Sequence, residues 1–525
     1  MLFSDPIYLF LFLPLAVCFG DFLSHWIGKT AVLGSIILFS CVFYGMWGYD
    51  YLLILIASIC LNWLVSYGLL NLSDQRRGLR NTLLYAGQTF NFSLLILFKY
   101  SYFLTDFFGG AAAINTGTIA IPIGISFYTF QQAVFLQEAH QREANVVAYL
   151  GTNGGIKDLI PGFIRYSAFI AFFPQLVIGP IVYLSEFAPQ VAKNTFGKLG
   201  RKNLEVGTLL ICVGLFKKLV IADNLARITD PTFVSLAQGE TVHLAEAWAA
   251  SLGYYAQLYF DFSGYSDLAL GSARLFGVTL PINFDSPLKA VSIADFYKRW
   301  HITLSRVIAR FLYTPLSVKG ARFAFQKISF SGLRRFPMIW LPLSVNFLAI
   351  ALWHGATPTF LLFGIIHGFW YILETELKGT HLWKRWKKHS SPVQRAHLGR
   401  ATFFIPMLLC FSLFRADSIA TWNNLIVAMF VPDFDVLFQI TSLQIRNVAL
   451  AVVALSICLF LPNVYALAKS SEPGLITYDN QPTSTPIFAR LEWRPNWQWG
   501  CAMAFALLLS LCFIGRLPLF LYLGF

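Results

Sequence analysis

Two histidines are the groups in this chain best suited to move a proton. His354 lies in Ala351-Leu352-Trp353-His354-Gly355-Ala356, between the apolar stretches 337–353 and 358–376. A titratable imidazole at membrane depth is costly and usually faces a cavity or a partner, which makes it a functional-site candidate. His301 lies upstream in Asp295-Phe296-Tyr297-Lys298-Arg299-Trp300-His301-Ile302-Thr303-Leu304-Ser305. An imidazole titrates close to neutrality and can serve as general base toward a hydroxyl. The plainer reading of His354 is a helix cap or an interhelical hydrogen bond, and that of His301 an interfacial histidine satisfied by water. His367, in Gly364-Ile365-Ile366-His367-Gly368, is a weaker candidate. Its interval from His354 does not match the short helical spacing of a zincin, and no nearby Cys or Glu completes a ligand set, so no metal site is expected. The sequence holds no Walker loop, GxSxG elbow or dinucleotide fingerprint, which favours a transfer reaction without a tightly bound cofactor.

Two further runs carry polar groups among aromatics. Residues 254–267 set Gln257, Asp261, Ser263, Ser266 and Asp267 between tyrosines and phenylalanines at the expected end of a span. Carboxylates there need partners or they protonate. They read either as substrate contacts, with Gln257 and Asp261 as candidates, or as a hydrogen-bonded helix break. Residues 292–312 alternate aromatics with Lys298, Arg299, Arg306 and Arg310, the pattern of an interfacial amphipathic helix. Asp295 near its start suits the helix dipole. Lys298, Arg299, Trp300 and Trp353 flank the two histidines and are candidate substrate contacts.

The elements that must position these groups are membrane helices. Of 525 residues, 57% are hydrophobic and only 12% charged, with a mean hydropathy of +0.61; a soluble domain carries about 25% charged residues. Apolar windows able to span, which need about 20 residues, fall near 6–23, 31–47, 51–72, 82–104, 118–136, 204–226, 243–262, 337–353, 358–376, 401–416, 446–467 and 498–516. The stretch 160–185 is apolar but broken by Pro161, Gly162, Pro174, Gly179 and Pro180, and reads as re-entrant or kinked. The N-terminus lacks a basic n-region, so 6–23 is expected to be a retained helix rather than a signal peptide. The eight cysteines all fall in apolar segments without CxxC spacing and read as buried small hydrophobes.

The net charge of +13 gathers in loops at Arg76, Arg77 and Arg80; at Lys193, Lys198, Arg201 and Lys202; at Lys319, Arg322, Lys327, Arg334 and Arg335; and most densely from Lys378 to Arg400. Such loops mark the cytoplasmic side and attract anionic lipid; nothing supports nucleic-acid binding. One parity satisfies them all: the N-terminus and the 105–117 and 227–242 loops outside, the 468–497 loop inside. His354 then lies near the outer end of its hairpin and His301 nearer the cytoplasm. With no linker, low-complexity tract or fixed-period repeat, residues 1–525 read as a single integral-membrane domain of about 10–13 membrane segments.

In combination these motifs resemble the membrane-bound O-acyltransferase family, and most closely its bacterial branch of polysaccharide O-acetylation and teichoic acid D-alanylation. The resemblance rests on Tyr259-Phe260-Asp261-Phe262-Ser263-Gly264-Tyr265-Ser266-Asp267, Asn283-Phe284, Phe296 to Ser305, and Leu352-Trp353-His354-Gly355-Ala356. Phe98-Lys99-Tyr100, Pro122 to Tyr128, Pro174 to Pro180, Phe216-Lys217-Lys218 and Ile221-Ala222-Asp223 agree. It covers 90–375 best. It departs after Leu316, where Ser317 to Arg322 replace a glycine- and asparagine-rich turn, and at Gln137 to Arg142, which precede an apparent insertion to about 158.

The resemblance implies an all-α polytopic protein, a ring of transmembrane helices around a central catalytic funnel with interfacial and re-entrant helices. It implies that His354 is the catalytic histidine and His301 that of the second motif. It further implies acyl transfer, with acetyl-CoA or another cytoplasmic thioester as donor substrate, toward an exported polysaccharide, in the bacterial cytoplasmic membrane. Lys298 and Arg299 are then placed to meet the donor's phosphates. An extracytoplasmic SGNH-type acetyltransferase or polysaccharide synthase subunit is the implied partner. The rival classes are a secondary transporter, which would show inverted repeats that 160–185 lacks in the second half, and a structural subunit of an export complex.

Overall fold

The longest helix, Leu244–Leu275, runs through the centre of the molecule and is buried on all sides from Ala249 onward apart from Leu252. Its 32 residues extend about 48 Å at 1.5 Å per residue. A helix can be apolar all round only where other helices replace solvent, and here Arg201–Leu215, Asp223–Ala237, Ser442–Phe460, Pro392–Arg415 and Ile419–Phe430 pack against it. The computed structural model describes residues 1–107, 121–151, 158–431, 441–476 and 491–515. Among these there is no strand; the one extended pairing is an isolated bridge between Pro281 and Leu475.

Glycine sets the approach of Arg201–Leu215 to the central helix. A Cβ on Gly214 would stand 2.7 Å from the Gly264 carbonyl oxygen, and one on Gly264 2.9 Å from that of Gly214. Gly207 and Gly271 repeat the arrangement, at 3.1 and 2.8 Å. Such backbone contact is how helices associate where lipid removes the hydrophobic drive between them. The first of these helices continues through a π-helical turn, Phe216–Ala222, from which Lys217 reaches Asp267 (2.6 Å) and Lys218 reaches Asp261 (2.6 Å) and Asp223 (2.7 Å).

Six described helices are long and apolar enough to cross a membrane: Tyr8–Trp26, Tyr49–Asn71, Phe336–His354, Pro358–Gly379, Pro392–Arg415 and Ser442–Phe460. The protein is thus an all-α, multi-pass membrane protein. Most of the other expected spans are helices that are shorter, as Lys29–Gly45 is, or more polar, as Arg77–Phe107 is. Helix Ile419–Phe430 was not among the expected spans. The outer helices turn large apolar side chains outward, Phe10, Leu15 and Phe22 among them.

Several expectations need correction. The 254–267 run is neither a span end nor a helix break; it is the buried middle of Leu244–Leu275, held by ion pairs whose lysines come from another helix. The 292–312 run is not one interfacial helix. It forms Ile293–Tyr297 and Ile302–Ile308 and then a π-helical turn, and Phe296, Arg299, Trp300, His301 and Thr303 are buried. Helix Asp223–Ala237 occupies most of the supposed 227–242 loop. Cys18, Cys501 and Cys512 are exposed rather than buried. The 160–185 stretch behaves as expected: Leu159–Ala171 gives way to the short Phe173–Leu176 and then to non-helical backbone, buried from Tyr166 to Leu184. Residues 108–117 of the supposed 105–117 loop and 477–490 of the 468–497 loop lie outside the described residues.

Candidate active site

His301 ends the break between the two short helices in a left-handed conformation, φ 44°, rarely taken by a residue with a side chain. Asn283 holds it there. The Asn283 carbonyl accepts from Ile302 N (3.0 Å), and Asp285 N donates to Arg299 O (2.9 Å), so 283–285 runs beside 299–302. Asn283 Oδ1 accepts from Thr303 N (3.3 Å) and Thr303 Oγ1 (2.9 Å) and stands 3.2 Å from His301 Nδ1. An amide oxygen can only accept, so His301 carries its proton on Nδ1, which leaves Nε2 as the basic nitrogen. Thr303 Oγ1 also accepts from Ile181 N (3.1 Å), which fastens the non-helical segment to the histidine motif.

His354 is the last residue of Leu341–His354. Helix ends leave carbonyls unsatisfied; here the Lys99 ammonium donates to the Trp353 carbonyl and the Tyr100 hydroxyl to that of Leu352. Lys99 also stands 5.2 Å over the Trp353 ring. A cation at a helix C-terminus opposes the negative end of its dipole. The imidazole packs against Trp353 (4.6 Å between centroids) and edge-on to Phe414 (4.7 Å).

The two histidines meet at one chamber. It measures about 20 Å³ and is lined by His301, His354, Tyr297, Trp300 and Ser305, with Leu258, Phe296, Leu304, Ile350, Phe363, Phe411 and Phe414 as its apolar wall. Trp353 lies behind them, its ring 5.7 Å from that of His301. The arrangement offers two imidazoles to one buried reacting group.

The other candidate residues are held elsewhere. Gln257 accepts from Thr229 Oγ1 (2.6 Å), and Asp261 is tied to Lys218 (2.6 Å); both belong to the packing of the central helix. Arg299 is buried against Asp295 (2.8 Å) and Asp285 (3.6 Å). Lys298 is exposed. His367 stands behind the chamber, with its Nδ1 3.1 Å from the Tyr297 hydroxyl. Sequence reading did not give Asn283, Lys99 or Tyr297 a role, although all three lie in the runs that carried the resemblance.

It also missed a second cavity, of about 770 Å³, lined by Arg306, Arg310, Lys319 and Arg322 together with Gln137, Gln141, Glu143 and Tyr183. Arg306 and Arg310 stand 4.4 and 5.3 Å from the Tyr183 ring centre, and Arg306 is braced by Glu186 (2.5 Å). Ser305 lines the chamber and Arg306 the basic cavity, so one short helix separates the two.

Comparison with known families matches residues 39–331 to MBOAT, the membrane-bound O-acyltransferase family. The chain belongs to this family. It is an acyltransferase of the membrane. It is 35% identical to the peptidoglycan O-acetyltransferase of Helicobacter pylori, over 70% of this chain and 69% of that protein. It is 30% identical to the probable alginate O-acetylase AlgI of Azotobacter vinelandii, over 87% and 84%. The teichoic acid D-alanyltransferase of Bacillus subtilis is more distant, 26% identical over 47% of this chain and 56% of that protein.

Proposed function

We propose that this acyltransferase moves acetyl groups from a cytoplasmic thioester, acetyl-CoA, across the bacterial cytoplasmic membrane for O-acetylation of an exported polysaccharide. The chamber shared by His301 and His354 carries the reading. His354 takes the acceptor hydroxyl's proton as the oxygen attacks the thioester carbonyl, and returns it to the departing thiolate. His301, proton on Nδ1, presents Nε2 to the same chamber. The basic cavity supplies four cations for the donor's phosphates, in a volume within the usual range for small-molecule sites, about 300–1,000 Å³. Lys298, exposed beside His301, is a further contact for them, while the ion pairs of Arg299 assign it to holding the loop. The named activities of the relatives, on peptidoglycan, alginate and teichoic acid, are transfers to envelope or exported polymers. With no described segment built to grip a polymer outside the membrane, the acceptor side falls to a separate extracytoplasmic acetyltransferase or a synthase subunit.

In membrane vesicles from cells that lack the native gene but keep its partner proteins, His354→Ala should insert and fold as wild type yet release no thiol from acetyl-CoA in the presence of a chito-oligosaccharide acceptor. Thiol release at the wild-type rate would remove His354 from the chemistry.

A further inference from the structure

A third buried histidine has no part in that chemistry. His367 is fully buried in the helix Pro358–Gly379, one turn beyond Phe363, which lines the chamber. Its Nδ1 lies 3.1 Å from the hydroxyl of Tyr297, a chamber residue. Phe363, Trp370 and Phe347 enclose the imidazole, with centroids at 3.9, 6.2 and 6.3 Å. Among the described residues its Nε2 makes no hydrogen bond.

A histidine confined by aromatic rings, with the Tyr297 hydroxyl as its one polar contact among the described residues, acts on its surroundings by setting the orientation of that hydroxyl. The tautomer with its proton on Nδ1 donates to the tyrosine oxygen and buries Nε2 as a bare acceptor. The other tautomer accepts from the tyrosine hydroxyl and buries Nε2 as a bare donor; an unpaired donor and an unpaired acceptor cost alike, about 1–3 kcal/mol, so the contact fits either direction. In the first tautomer the tyrosine oxygen accepts from His367 and its own proton is free for another acceptor. The chamber that it lines has room for about one small group. Tyr297 lines it together with His301 and His354.

We propose that the Tyr297 hydroxyl donates to the oxyanion formed when the acceptor oxygen adds to the acyl carbonyl, and that His367 is the residue that positions it. In this step the acceptor O–H bond breaks and its proton passes to His354, while the new C–O bond forms and the carbonyl electron pair moves onto oxygen, where Tyr297 O–H meets it. Collapse re-forms the carbonyl, breaks the C–S bond and sends the proton from His354 to the thiolate. Tyr297 keeps its proton throughout. The inference rests on the acyl-transfer reading above but not on which thioester is the donor.

The test uses cells that lack the native gene, keep its partner proteins and carry each variant on a plasmid, together with membrane vesicles made from them and supplied with acetyl-CoA and a chito-oligosaccharide. Tyr297→Phe keeps the ring and should lower kcat by about 100–1,000-fold, the usual loss for one oxyanion donor, with the KM for acetyl-CoA little changed. His367→Leu should match it. His367→Asn, whose amide reaches the position of Nδ1, should restore most of the rate, and His367→Gln, which mimics Nε2, should not. The double variant Tyr297→Phe/His367→Leu should be no slower than either single one, because the two residues act as one unit. Envelope O-acyl ester content in the cells should rank the variants in the same order. A wild-type kcat in Tyr297→Phe, or multiplying losses in the double variant, overturns the inference. If wild-type protein leaves acetyl-CoA intact, the donor reading fails, and the ranking in cells alone decides on Tyr297 and His367.

Discussion

A histidine at φ 44° stores backbone strain that a glycine would not, since the left-handed conformation costs an L-residue about 1–2 kcal/mol. Asn283 offsets that cost by accepting from His301 and from the two residues that follow it. Replacing His301 separates the two contributions. His301→Ala and His301→Gly both lose the imidazole and its contact with Asn283, so both should abolish transfer. In thermal unfolding, however, the glycine variant should be more stable than the alanine variant by about 1 kcal/mol. Equal stability would mean that the loop relaxes out of the left-handed region once the side chain is gone. The two histidines were legible in the sequence because a titratable group in an apolar chain is conspicuous. The surroundings of Gln257 and Asp261 were not legible, for the converse reason. Their polarity is visible, but their partners, Thr229 and Lys218, lie in other helices, and no spacing rule relates them.

The helices that matter most are those that touch through bare backbone. The pairs Gly214/Gly264 and Gly207/Gly271 leave no room for a Cβ, whereas Gly34, in Lys29–Gly45, faces open space. Gly271→Leu should therefore leave the detergent-solubilised protein largely unfolded, and Gly34→Leu should leave its unfolding temperature unchanged; the same scan measures both. The ion pairs beside them make a second prediction. Lys217→Met strands Asp267, with only Tyr465 (2.5 Å) among the described residues still bonded to it, and should cost about 3–5 kcal/mol. Lys217→Met/Asp267→Leu should recover most of that loss, and a double variant as unstable as the single one would contradict the account. Most of the long apolar helices could be read from the sequence, because composition and length decide them. The division of 292–312 could not. A buried, interrupted helix and an interfacial one share the same alternation of aromatic and basic residues, and the break falls on a histidine rather than on a glycine or proline.

For the whole molecule, the two cavities and the basic loops define sides. Arg322→Glu, in the basic cavity, should raise the KM for acetyl-CoA at least about tenfold with little change in kcat, since it weakens binding of the ground state and the transition state alike; an unchanged KM would remove the donor from that cavity. In a variant freed of its natural cysteines, Lys387→Cys should resist an impermeant thiol reagent in intact cells and Gln238→Cys should react, as the distribution of positive charge requires. The reverse labelling would turn the direction of transfer around. Neither cavity was legible in the sequence, because each collects residues from segments far apart in the chain. The smaller one has a consequence beyond catalysis. A bacterium stores energy as an ion gradient across the bilayer, and any protein that carries a group from one side to the other risks discharging it. A chamber walled by phenylalanines and measuring about 20 Å³ holds about one water, too few to conduct protons as a wire, and apolar constrictions of this kind exclude ions by shedding water. Under the proposed function, the resting reaction chamber is also the insulator.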